Sequence, residues 1–285
     1  MAERTVRELE ARLDGAAGLS EAERTIVRVA GKATREPSAI TENDVAVFAA
    51  ATGSRGNFVE AASVVAQFNF ITRIADALGV ELEIPEALRR FELGRRLAIR
   101  LAAWLMRRKI DFRARDIAAA DPQQTLAAME RLFVGELGFR ERPGYFDRLA
   151  ARPYLLEAQA RMVEAFLTKN ELGRATVMQV ARVVASLTGE TSLEEASQRW
   201  IERNPAAASP PQALLGFARD VTLHAYKVTD ERVEALRRAG FADAQILDLA
   251  AIASSFNASA RLAVLLSPPQ VATRGRPETF VAAGH

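Results

Sequence analysis

Hydrophobic residues along this chain recur at spacings of three and four, and rarely alternate with polar ones. That periodicity predicts amphipathic helices throughout. Val6, Leu9 and Leu13 mark a short helix over 3–14. Ser20, followed by Glu21 and Glu23, has the form of an N-cap with acids in the first turn, where the helix dipole favours them. The helix it opens carries Ile26, Val27, Val29 and Ala30 and ends near Pro37. Thr41 caps a short helix, and a longer one follows over about 57–78. On that longer helix Phe58, Ala61, Ala62, Val65, Phe68, Thr72 and Ala75 fall on one face, the expected inward one. Further helices are predicted over 122–135, over 146–168 with a break near Pro153, over the strongly apolar 174–188, and over 191–203 with Trp200 as anchor. Asn204 to Pro211 is a loop, and the Pro- and Gly-containing tail beyond Ser267 is an irregular arm.

The pattern from Thr41 to Gly79 returns from Thr229 to Leu266, at an offset of 188 residues without a gap. Phe68 and Asn69 fall on Phe256 and Asn257, Arg73 on Arg261, Val45 on Val233 and Thr41 on Thr229. The register extends back through Thr34 and Thr222, and through Ala30 and Ala218. In the second copy the long helix is about 244–266, with Ile246, Leu249, Ala250, Ala253, Phe256, Ala260 and Ala263 on one face. The many alanines allow another helix to approach closely. An all-α chain of two related halves is therefore expected, with the two long helices in equivalent places. Asn69 and Arg73 lie four apart on one helix face, as do Asn257 and Arg261. Such pairs serve either as ligand contacts or as structural ties to a neighbouring backbone or carboxylate.

Composition adds limits. Of the 285 residues 49% are hydrophobic and 26% charged, the balance of a globular protein. The net charge of +2 gives no basis for expecting nucleic-acid binding. The chain has no cysteine, which rules out disulfides, thiolate metal sites and a thiol nucleophile in this chain. The charged start, MAERTVRELEARLD, lacks the apolar core of a signal peptide, and no apolar run of about 18 residues suggests a membrane span. A cytoplasmic location is the expectation. Residues 86–115 stand apart: ten Arg and Lys surround an apolar stripe of Phe91, Leu97, Leu101, Trp104 and Leu105. This is a basic amphipathic helix that either meets anionic lipid or RNA, or docks its stripe on the protein or a partner.

The stretch FNFITRIADALGVELE (68–83) resembles the C-terminal helix of the AhpD-like, carboxymuconolactone decarboxylase superfamily, whose peroxidase-related branch carries a Phe-Asn pair, an Arg four residues on, and Ala-Leu-Gly. LRRAGFADAQIL (236–247) is similar to that branch as well, and 151–189 looks like the family's entry to its active-site helix. The resemblance implies a full domain over 151–268 and a partial one over 1–85, with 86–150 holding the basic and connecting helices and 269–285 a C-terminal arm. It also implies assembly into homo-oligomers.

In the peroxidase members, the resemblance further implies a Cys-x-x-Cys-x-x-x-His helix and an upstream Glu. The carboxylate and imidazole relay protons, one thiolate attacks peroxide, and the second resolves the sulfenic acid. Here the Glu falls on Met178, the two Cys on Glu190 and Leu193, and the His on Ser197. The decarboxylase branch shows Glu-Leu-x-x-His, and Ser197 again stands in place of its His. His224 and His285 are the only histidines, and neither is near this segment in sequence. Three readings follow: a pseudoenzyme that keeps the fold, an enzyme using Glu190, Glu194 or Glu195 as a general base for lactone decarboxylation or isomerisation, or a partner-binding module docking through 86–115. ETSLEEASQR also reads as an ordinary capped helix start, with Thr191 or Ser192 as cap. No metal or cofactor is expected.

Overall fold

A computed structural model describes residues 19–80, 121–205 and 209–266. The expected helix 3–14, the basic segment 86–115 and the C-terminal arm 269–285 fall outside the described residues. Among those described, every element is helical and there is no strand.

Helix α1 (Glu21–Arg35) starts at a capping box in which Ser20 and Glu23 satisfy each other's backbone amides. A single 3-10 turn (Pro37–Ala39) leads to α2 (Glu42–Thr52), opened by the same device between Thr41 and Asp44. Asp44 also receives Lys32 at 2.6 Å, which locks α2 to α1. Gly53, at φ +74°, ends α2, and Ser54 caps α3 (Arg55–Ala77).

The chain resumes with α4 (Pro122–Glu130), capped by Asp121, which runs on as a π-helical turn over Arg131–Glu136. Then come α5 (Tyr145–Leu149) and α6 (Pro153–Thr168), separated where Pro153 takes the first helical position. Helices α7 (Gly173–Thr188) and α8 (Thr191–Arg203) form a corner, and α9 (Gln212–His224) follows. A 3-10 turn (Ala225–Lys227), α10 (Asp230–Arg238) and α11 (Asp243–Leu266) complete the fold.

α11 is the axis of the molecule. It packs against α3 along its length and also against α6, α7 and α9. Burial on nearly every side explains a helix that is apolar all round. By length and composition alone α11 is long and apolar enough to cross a bilayer, yet 89% of its most apolar window is inside the fold. No apolar run in the sequence had suggested this, because Ser254, Asn257 and Arg261 interrupt it and are themselves buried.

The inward face of α3 differs from the one expected. Phe68 is 66% exposed and Thr72 is exposed, whereas Val59, Ala62, Ser63, Ala66, Asn69 and Ala77 are buried. The buried row lies one residue on from the expected stripe, a rotation of about 100°. The reason is packing. α3 meets α11 with small side chains and the polar Asn69, and leaves Val64, Phe68 and Ile71 on the outside. One hydrophobic core runs through both halves.

Candidate functional site

The corner between α7 and α8 places the central group. Gly189 has φ +74°, and a Cβ built on it would lie 2.9 Å from Cβ of Ser38 in the first 3-10 turn. Both facts call for glycine here. The turn leaves Glu190, rather than Thr191 or Ser192, as the N-cap of α8. Its Oε2 accepts the amide of Leu193 at 2.5 Å, and its carboxyl also accepts the amide of Ser192. Burial pushes the Glu190 carboxyl above the ordinary range, the two amides oppose this, and Glu194 adds to it. Gly189→Ala is expected to cost about 1–2 kcal/mol for the left-handed backbone, plus the crowding against Ser38. Chemical denaturation of Gly189→Ala with and without Ser38→Gly separates the two contributions.

Glu190 and Leu193 line a narrow cavity with about 40 Å³ of internal room, enough for a water or the end of a small molecule. Its walls are mostly apolar. Phe133 enters from the π-helical turn, Phe166 from α6, and Phe256 from α11. Phe133 is fixed by edge contacts to Phe139 and by Phe146, at ring separations of 5.0 and 5.8 Å. Turns of π-helix commonly mark functional positions.

A polar group closes one end. Tyr145 is buried and stacks on Phe146 at 4.5 Å. Its hydroxyl shares hydrogen bonds with Ser259 and Gln159, and Gln159 Nε2 donates to Ser259 Oγ at 3.3 Å. Burial raises the Tyr145 phenol well above its usual range, and the charge of Glu190 raises it further. Ser255 and Ser259, four apart on α11, both face the cavity. Among the described residues no Lys, Arg or His lines it.

Of the four positions that the family resemblance singles out, two meet at this cavity. Met178 is buried in α7 but is not part of the lining. Ser197 is fully buried, and its hydroxyl is engaged by the carbonyls of Leu193 and Glu194 at 2.7 and 2.9 Å. Glu194 is half-buried and Glu195 exposed, and both lie along a separate surface groove. His224 is exposed and far from the lining set, with its ring against Tyr226. The polar lining of the cavity, Tyr145, Ser255 and Ser259, with Gln159 hydrogen-bonded to it, had no sequence signature except the two serines spaced four apart on an apolar helix. Among the described residues no three His, Cys, Asp or Glu side chains gather where an ion could bind.

The two Asn-Arg pairs lie elsewhere, at the α3–α11 contact. Asn69 Nδ2 donates to Thr34 Oγ1 at 3.0 Å and to the Val65 carbonyl at 2.9 Å. Asn257 Nδ2 donates to Thr222 Oγ1 at 3.1 Å and to the Ala253 carbonyl at 2.9 Å. Arg73 and Arg261 each donate to the side-chain oxygen of the Asn four residues before, at 2.5 and 3.1 Å. Arg261 also reaches out of its own helix, to the Thr34 carbonyl at 2.9 Å. Burial lowers the Arg73 pKa to about 10, with Asp76 opposing, and Arg261 is lowered by burial and by the charge of Arg73. All four side chains are held by protein groups, and none lines the cavity.

Comparison with protein-family models, with curated proteins and with solved structures returned no match.

Proposed function

We propose that this chain is an AhpD-like helical protein of two related halves, that it has lost alkylhydroperoxidase chemistry, and that its cavity is a thiol-free site where Glu190 handles a proton. The halves are supported by the helix, 3-10 turn, short helix and long helix that run in the same order at both ends of the chain. They are supported further by the Asn69–Thr34 and Asn257–Thr222 hydrogen bonds, whose members correspond at the offset of 188. Loss of the peroxidase chemistry follows from a chain with no cysteine. The observation that carries the proton-handling role is the half-buried Glu190 carboxyl in the cavity wall beside the buried Tyr145, at the place of the family's first Cys. Carboxyl groups raised by burial are suited to accept and return a proton near neutrality. The reaction class that fits is proton transfer on a small substrate, as in isomerisation of a lactone.

A second reading, that of a scaffold, is favoured by the amides of Ser192 and Leu193 on the same carboxyl, which make Glu190 the cap of α8. Homo-oligomerisation and a docking role for 86–115 belong to this reading too.

Linkage separates the two. A carboxyl raised in the folded state contributes stability below its unfolded value, and that contribution is lost as the pH rises through its folded value. Glu190→Gln removes the slope. The melting temperature of Glu190→Gln is therefore expected to rise relative to the native protein as the pH increases above about 4, the ordinary carboxyl value. A difference that stays flat across that range means an ordinary solvated cap, and the proton-handling role falls.

A further inference from the structure

We infer that the cavity takes an uncharged small molecule with one polar end, a ketone, lactone or alcohol, and rejects carboxylates. The inference rests on the reading of the cavity as the working site, and concerns which chemistry it admits.

The lining decides the charge. An anion entering a mostly apolar cavity gives up its hydration and needs a cationic partner or several donors in return. Among the described residues no Lys, Arg or His is in the wall, and the one ionisable group there besides Tyr145 is an acid, Glu190. A bound carboxylate would face that acid with nothing to balance it. A cation fares little better, because the Glu190 oxygens already accept the amides of Ser192 and Leu193. Neutral polarity is what the site can match. The Tyr145 hydroxyl and Ser259 form one hydrogen-bonded group with Gln159, and Ser255 lines the wall one turn before Ser259. These groups both donate and accept, so a carbonyl or hydroxyl meets them without leaving a buried polar atom unpaired.

The same lining sets the shape. Phe133, Phe166, Leu193 and Phe256 bound the apolar part, and the enclosed room of about 40 Å³ admits only a few heavy atoms. A short alkyl ketone fits the description, with its carbonyl towards Tyr145 and its chain among the aromatic rings. The resemblance to carboxymuconolactone decarboxylases implies a carboxylated lactone, so the wall of this cavity selects against that substrate.

Three probes of one shape test this: pentan-2-one, butanoate and butylammonium, titrated by ligand-observed NMR at about pH 8, where butanoate is ionised. The variants are Ala263→Trp, which narrows the cavity from a half-buried position, and Glu190→Gln. Pentan-2-one is expected to bind saturably, at least about tenfold more tightly than either ion, and to be lost in Ala263→Trp. In Glu190→Gln the discrimination against butanoate is expected to shrink. Should Ala263→Trp not fold, Leu193→Phe at the opposite wall takes its place. Butanoate or butylammonium binding as tightly as the ketone, and blocked by the narrowing variant, overturns the neutral-ligand inference while leaving the cavity as the working site. Binding of no probe, or binding that the narrowing variants do not affect, overturns both.

Discussion

Replacing Arg261 by alanine is expected to lower the stability of the fold by about 4–5 kcal/mol. The side chain is 1% exposed and is the largest of the fully buried ones. Its removal leaves a void in α11 and withdraws the donors that the Thr34 carbonyl and the Asn257 carbonyl and side chain receive. The charge itself works against this sum, since burial and Arg73 both disfavour it. Arg261→Met separates the contributions. Methionine refills most of the void and carries no charge, so roughly half of the loss is expected to return. Arg73→Ala is expected to cost less, because its hydrogen bond to Asn69 stays within α3 and its loss relieves the repulsion on Arg261. Guanidinium denaturation of the three variants, with an unchanged dependence on denaturant, is the measurement. An Arg261→Ala protein as stable as the native one would mean that the Arg261–Thr34 tie between α11 and α1 contributes nothing to this fold.

Phe146→Ala is expected to cost about 3–5 kcal/mol. The ring is fully buried, stacks on Tyr145 and sits 5.8 Å from Phe133. It therefore supports one polar and one apolar wall of the cavity at once. Loss of the ring frees Tyr145 to leave Ser259 and Gln159, so the variant is also expected to lose pentan-2-one. Phe68→Ala provides the contrast. Phe68 is mostly exposed, and its removal is expected to change stability by less than about 0.5 kcal/mol. Thermal and chemical unfolding of the two variants side by side checks both values. A Phe68→Ala loss as large as that of Phe146→Ala would restore the inward face that periodicity alone had suggested.

Local rules were the most legible part of this sequence. Ser20 with Glu23, and Thr41 with Asp44, announce helix starts because the same side chains satisfy the first amides wherever the helix later packs. The break before Pro153 and the positive-φ turn at Gly240 are similarly local. Thr34 and Thr222 each receive a hydrogen bond from an Asn 35 residues on, Asn69 and Asn257. Facing was harder. Periodicity put the large Phe68 inward, but a close helix pair wants small residues and left Phe68 outside. The cavity was the least legible feature. Glu190 and Leu193 were reached through resemblance, whereas Tyr145, Gln159 and Ser259 come from three separate helices, the last about 100 residues beyond the other two. No spacing rule joins them. The π-helical turn that delivers Phe133 has no sequence signal either, since Arg131–Glu136 reads as ordinary helix.

The pairing of α3 with α11 has a consequence for the order of events at the ribosome. Asn69 on α3 and Asn257 on α11 are 188 positions apart. At about 5–20 residues per second, synthesis of that interval takes roughly 10–40 s. Throughout it Asn69 can already close on Thr34, because α1 and α3 emerge together, but the alanine face of α3 has no α11 to meet. The nascent N-terminal helices thus hold their own hydrogen bonds while their apolar seam waits, and the last of the described helices is the one that closes the core.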